Sequence, residues 1–219
     1  MIFAEDIINP VIRKYPYCAA WTIPISSLDR REREYFPRFS PAARTAIVLG
    51  YHIVTKYEWT WFERENGLHH CDADDHCKKI CDEIANAFGG HGFRTAMVPY
   101  PGESGIQFRS VAQSAGAGEI GMNAFLLHPL WGPWIQLSLL ATDAISKDNP
   151  VYHKSICTRC GECVLACPAG AIRQDSFDGL CCRSYRKEKG EYIPFGPKKE
   201  FRYCTTCADV CPVGQKPRI

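Results

Sequence analysis

The feature that most constrains this chain is the spacing of its cysteines. Cys157-x2-Cys160-x2-Cys163-x3-Cys167-Pro168 draws three thiolates from one tight loop, enough to wrap three corners of a cubane [4Fe–4S] cluster. The fourth cysteine stands one helical turn on, where it points to a neighbouring cluster, and Pro168 helps stop the chain folding back. A second run, Cys204-x2-Cys207-x3-Cys211-Pro212, lacks its leading cysteine, because Phe201 stands at that position. Cys181 or Cys182 must substitute. Exchange of the fourth ligands predicts Cys157, Cys160, Cys163 and Cys211 on one cluster. Cys167, Cys204 and Cys207, with Cys181 or Cys182, then hold the other.

Nine of the 13 cysteines fall between Cys157 and Cys211. Structural zinc and a disulfide scaffold are the alternatives, and two complete x2, x3, Pro endings argue against both. The remaining composition is that of an ordinary globular protein, with 46% hydrophobic and 23% charged residues. A net charge of +2 gives no strong field for nucleic acid or a membrane surface, and Arg30, Arg31 and Arg33 are interleaved with Glu32 and Glu34. No nucleic-acid partner is therefore expected. Glu5 and Asp6 stand where a signal peptide would carry lysines, and no apolar run approaches the length of a membrane span. The expectation is a soluble cytoplasmic protein.

Residues 1–150 read as alternating strand and helix, an α/β (α+β) layer. Strands are predicted at Ala19–Ile25, Ala46–Val54, Phe93–Val98 and Trp134–Ala141. A helix capped by Asp72 or Asp74 runs to about Phe88, with Cys77, Ile80, Cys81, Ile84 and Phe88 as its apolar face, and Gly89-Gly90 ends it. A second helix covers Phe108–Ser114. Composition changes to cysteine, glycine and short turns near Lys147–Tyr152, so residues 151–219 form a small bacterial-ferredoxin-like domain with two [4Fe–4S] clusters. About 60 residues suffice for such a module, which leaves the first 150 to hold the electron acceptor.

The stretch Ser110–Asp143 contains Ala115-Gly116-Ala117-Gly118-Glu119-Ile120-Gly121, Leu126-Leu127-His128-Pro129, Gly132-Pro133 and Thr142-Asp143. It resembles the cobalamin-dependent reductive dehalogenases and, more distantly, epoxyqueuosine reductase, which also place a two-cluster domain after this region. The late cluster segment of that family opens with Cys-x-Ser-Tyr, here Cys182-Arg183-Ser184-Tyr185, and the resemblance thereby implies Cys182 as the ligand. It further implies a nitroreductase-like α/β domain with a base-off corrinoid between the two parts, whose cobalt the clusters reduce. Gly116, Gly118, Glu119, Gly121, Asn123 and His128 are the candidate cofactor-binding residues. The glycines permit positive φ and close backbone approach, although a helix cap and turn explains the same pattern. No Asp-x-His-x2-Gly run occurs, since Asp74-x-His76-x2-Lys79 fails at the glycine, so a lower axial histidine is not expected.

Two departures from the family matter. Met122 stands where Arg or Lys is usual, and Met97-Val98-Pro99-Tyr100-Pro101 replaces the stretch that carries an acidic proton donor. Tyr100, Glu103 and Arg109 are the remaining candidates for proton donor or anion contact. His69, His70, Cys71, His76, Cys77 and Cys81 form a dense soft-ligand group, although Cys77 and Cys81 share an apolar stripe and suit a core equally well. Tyr51, Phe125, Trp131 and Trp134 can wall a macrocycle or simply pack.

The expected function is a corrinoid-dependent reductase acting on a small substrate, supplied by an electron donor such as ferredoxin or flavodoxin. The alternative is an electron-transfer protein that reduces a separate corrinoid protein. A flavin in the first part has no phosphate-binding signature to support it.

Overall fold

The computed structural model describes residues 2–63, 69–100, 104–147, 155–189, 191–193 and 200–218. In chain order the elements are α1 (Ala4–Ile12), β1 (Cys18–Pro24), α2 (Arg30–Arg33), β2 (Thr45–His52), β3 (Trp61–Glu63), β4 (His69–Cys71) and α3 (Asp72–Gly90). Then follow β5 (Thr95–Val98), α4 (Phe108–Ser114), β6 (Glu119–Ile120), β7 (Leu126–Leu127), β8 (Ile135–Thr142) and α5 (Glu162–Ala166). The last are α6 (Gly179–Lys189), β9 (Glu191–Ile193), β10 (Glu200–Arg202) and α7 (Thr206–Asp209). The mixed helix and strand fold expected from the sequence is present, with antiparallel pairings. No described helix is long and apolar enough to cross a membrane.

The chain divides into two compact units that are not contiguous in sequence. The first contains residues 1–52, 76–118 and 136–154, and the second contains 53–75, 119–135 and 155–219. A change of unit near residue 154 lies close to the expected boundary, but the cysteine segment also takes in two stretches from earlier in the chain.

The first unit is built on a sheet in the order β1-β2-β8-β5. Every residue of β2 is buried, as expected of a strand covered on both faces. Helix α3 places Cys77, Ile80, Cys81, Ile84 and Phe88 at the predicted spacing, and all five are at most 2% exposed. Its start is fixed where Asp74 accepts the Cys71 N–H at 3.3 Å, so Asp74 acts as the N-terminal carboxylate. Burial pushes the thiols of Cys18 and Cys81 up to about 12, so both are neutral small hydrophobes here.

The second unit contains a sheet in the order β4-β3-β10-β9. Phe201, which occupies the place of the missing cysteine, is a strand residue opposite Trp61. These three-residue strands were not predicted, because such short segments show no measurable alternation.

Candidate metal centre

The second unit holds both cysteine runs, from which two ligand quartets are expected. Cys157, Cys160, Cys163 and Cys211 line one pocket together with Met122, Asn123, Leu127, Pro212 and Val213. The loop that presents them turns at Arg159 (φ 53°) and Gly161 (φ 82°). A left-handed arginine is strained, and its guanidinium holds it by donating to Gln174 O at 2.8 Å and Asp175 Oδ1 at 2.5 Å. Helix α5 then starts from Gly161 and carries Cys163 inward, 8% exposed.

Cys182 and Cys207 each feel the thiols of Cys167 and Cys204, the expected second quartet, and they also feel Cys181 and Cys163 respectively. Burial is the main cause that raises the Cys182 thiol, and it pushes Cys207 up to about 12. Metal sites that recruit such thiols must release their protons, so a cluster and the fold stabilise each other. Cys204 Sγ lies 3.3 Å from Thr206 Oγ1. Helix α6 delivers Cys182, and Asp178 caps that helix by accepting the N–H groups of Leu180 and Cys181, both at 3.0 Å. The neighbouring thiol of Cys181 donates to Ala169 O at 3.1 Å. A cubane spreads its four thiolates more widely than a single ion does. Among the described residues, no three His, Cys, Asp or Glu side chains form a group that could hold a single metal ion, Cys71, Cys77 and Cys81 included.

The β6–β7 hairpin forms part of the first pocket. Glu119 accepts the N–H of Ile156 at 2.5 Å and of Cys157 at 2.9 Å, so its carboxylate anchors the cysteine loop. Asn123 closes the hairpin by accepting the Phe125 N–H at 3.2 Å, and its amide donates to Cys207 O at 3.4 Å. A Cβ on Gly121 would lie 2.7 Å from Leu127 and 3.0 Å from Asn123, so this glycine serves hairpin closure. His128 Nδ1 accepts from Leu130 N and Trp131 N, both at 3.3 Å, and its ring stacks on Trp131 with centroids 4.1 Å apart. Trp134 and Phe125 both pack on Trp59. Beside the second quartet, Lys56 pairs with Asp209 at 2.5 Å.

The remaining candidates lie in the first unit. Gly116 (φ 82°) ends α4 by donating to Gln113 O at 3.0 Å, which is the cap-and-turn role; Gly118 follows without a positive φ. Tyr100 is 43% exposed, receives a hydrogen bond from Gln136 Nε2 and stacks on Phe108. Arg109 is half-buried on α4, Glu103 lies outside the described residues, and Tyr51 stacks on His76. Asp143 grips Arg94 through its backbone N–H at 2.9 Å and its Nε at 3.0 Å. Glu32 is 8% exposed, whereas Glu34 stays at the surface and pairs with Arg30 at 2.8 Å, among the exposed Arg31, Arg33 and Arg38.

The anchoring role of Glu119 and the capping role of Asp178 were not foreseen. Asp178 before Gly179-Leu180 carried a readable signal, an N-cap residue ahead of a helix. Glu119 acts through a pairing remote in sequence.

Residues 156–214 match the 4Fe-4S double cluster binding domain family. The chain is 40% identical over 114 residues to epoxyqueuosine reductase of Cyclobacterium marinum, covering 49% of this chain and 36% of that one. It spans about one third of the length of the curated relatives it matches. Among solved structures it is similar to an epoxyqueuosine reductase with a tRNA-Tyr epoxyqueuosine-modified tRNA stem loop, with TM-score 0.68, 16% identity, and 95% of this chain and 64% of that one covered. It is likewise similar to a reductive dehalogenase described with a mechanism for B12-dependent dehalogenation, with TM-score 0.63, 18% identity, and 94% and 31% covered. The chain is thus a relative of the epoxyqueuosine reductases that shares their fold and carries a 4Fe–4S double cluster domain.

Proposed function

We propose that the chain is a reductase in which Cys157, Cys160, Cys163 and Cys211 hold one [4Fe–4S] cluster and Cys167, Cys182, Cys204 and Cys207 hold the other. Electrons leave toward a corrinoid by way of the β6–β7 hairpin. One observation carries this reading: Met122, Asn123 and Leu127, from the stretch that resembles corrinoid proteins, wall the first cysteine pocket. When bound, the clusters supply one-electron steps and the corrinoid a reducible cobalt centre. Asn123 and His128 are engaged within their own unit, so the hairpin offers a corrinoid its backbone and the half-buried Met122.

Epoxyqueuosine in tRNA is the first substrate to test, because the curated relatives are named epoxyqueuosine reductases and a similar solved structure holds an epoxyqueuosine-modified tRNA stem loop. The test uses anaerobically reconstituted protein, dithionite, cobalamin and tRNA bearing epoxyqueuosine. Loss of one oxygen from the nucleoside, read by mass spectrometry and dependent on cobalamin, supports the proposal. Full iron content with no change in the cobalamin spectrum on reduction would sink the corrinoid role.

A second reading, electron transfer to a partner, is favoured by Leu165 and Leu180. These large apolar side chains are 84% and 71% exposed and adjoin cysteines of the quartets. In that case the filled protein reduces a separate corrinoid protein and turns over no substrate alone.

A further inference from the structure

We infer that two half-buried charges, the carboxylate of Glu119 and the guanidinium of Arg186, hold the two cluster sites at different reduction potentials, the Cys157 site lower and the Cys182 site higher. The inference rests on the ligand assignment proposed above.

Glu119 accepts the N–H groups of Ile156 and Cys157 at 2.5 and 2.9 Å, and no described cation pairs with it. The two bonds have separate effects. They keep a negative charge on the shoulder of the cysteine loop, and they occupy an amide that would otherwise be available to a cluster sulfur. Both effects disfavour an added electron, since hydrogen bonds to sulfur and local charge set cluster potentials.

Arg186 lies four residues after Cys182 on α6, so the two share a helix face. Its guanidinium sits 3.9 Å from the centroid of the Tyr203 ring, directly before Cys204 in sequence, and its Nε has no hydrogen-bond partner among the described residues. A fixed positive charge there favours the reduced cluster, whose net charge is one unit more negative. The other charges near the two sites are muted. Asp209 is paired with Lys56 and Arg159 with Asp175, and Asp178, Glu162, Arg183 and Lys216 are exposed and screened by solvent. The site beside the hairpin is therefore the last to fill, and the Cys182 site stores the first electron.

The test is a potentiometric titration followed by electron paramagnetic resonance on the reconstituted full chain, after iron and sulfide analysis. About eight irons per chain reads the ligand assignment, and the potentials read the inference. The wild type is expected to reduce in two one-electron steps. Glu119→Gln keeps an acceptor oxygen and raises only the lower step. Arg186→Gln lowers only the upper step, and Arg186→Lys restores it. Each shift is expected to change the reduction equilibrium about threefold or more, tenfold being about 59 mV for one electron. If Glu119→Gln loses iron, the Arg186 pair decides. With all eight irons present, variants that move neither step, or the same step, overturn the inference.

Discussion

Gly132 and Gly214 meet backbone to backbone: a Cβ on Gly132 would lie 2.0 Å from Val213 O, and one on Gly214 would lie 2.0 Å from Gly132 N. Both residues have positive φ, 58° and 73°, so each position excludes a side chain for two reasons. The contact sets where Val213 and Gly214 run, and these directly follow the Cys211-Pro212 pair. Either glycine changed to alanine is expected to cost several kcal/mol, on the order of a strained or overpacked buried site. Reconstituted Gly214→Ala should show a lower Tm and about half the iron, by loss of the Cys211 site. Full iron at an unchanged Tm would contradict this.

Cys181 and Cys182 should part cleanly. The Cys181 thiol is spent on Ala169 O, whereas Cys182 is the ligand proposed to join Cys167, Cys204 and Cys207. Cys182→Ser is expected to lose about four irons, and Cys181→Ser to keep all eight. Iron and sulfide analysis with anaerobic visible spectra distinguishes the two.

Glu32 gives the chain a pH dependence of known sign. Burial is the main cause that raises its carboxyl above the ordinary carboxylate range, so the folded state holds a proton that the unfolded chain gives up. Stability should therefore decline as pH rises from the ordinary glutamate value through the raised one. Glu32→Gln removes that decline and is expected to raise Tm at pH 7 by about 2–4 °C, corresponding to roughly 1 kcal/mol. Thermal melts from pH 4 to 8 check it, and a variant that is no more stable at pH 7 than at pH 4 relative to wild type would refute it.

Ile84, fully buried on the α3 stripe, reports on the first unit. Ile84→Ala should cost about 2–5 kcal/mol in denaturant melts of the reconstituted protein while leaving eight irons in place below the transition. Loss of iron under native conditions would show that the cysteine sites depend on this core.

Legibility in the sequence followed the range of the interactions. The α3 stripe and the strand at 45–52 could be read because period and burial are local properties. The run Cys157, Cys160 and Cys163 could be read for the same reason, and the three share one pocket, a ligand loop being a local device. Glu119 was expected to face a cofactor, but its partners are the amides of residues 156 and 157, a pairing that no period encodes. Likewise Phe201 looked like a missing ligand, and only its register with Trp61 shows that the position belongs to a strand.

The interleaving of the two units bears on how the chain matures. Strand β3 pairs with β10, so Phe62 waits for Glu200, and the hairpin wall of the first pocket waits for Cys211. During synthesis at about 5–20 residues per second, the early strands of the second unit spend several seconds without their late partner. Iron loading is thereby tied to synthesis through Cys211, and a fragment cut at the change of composition near residue 150 would keep the cysteine loops while losing the residues that seat them.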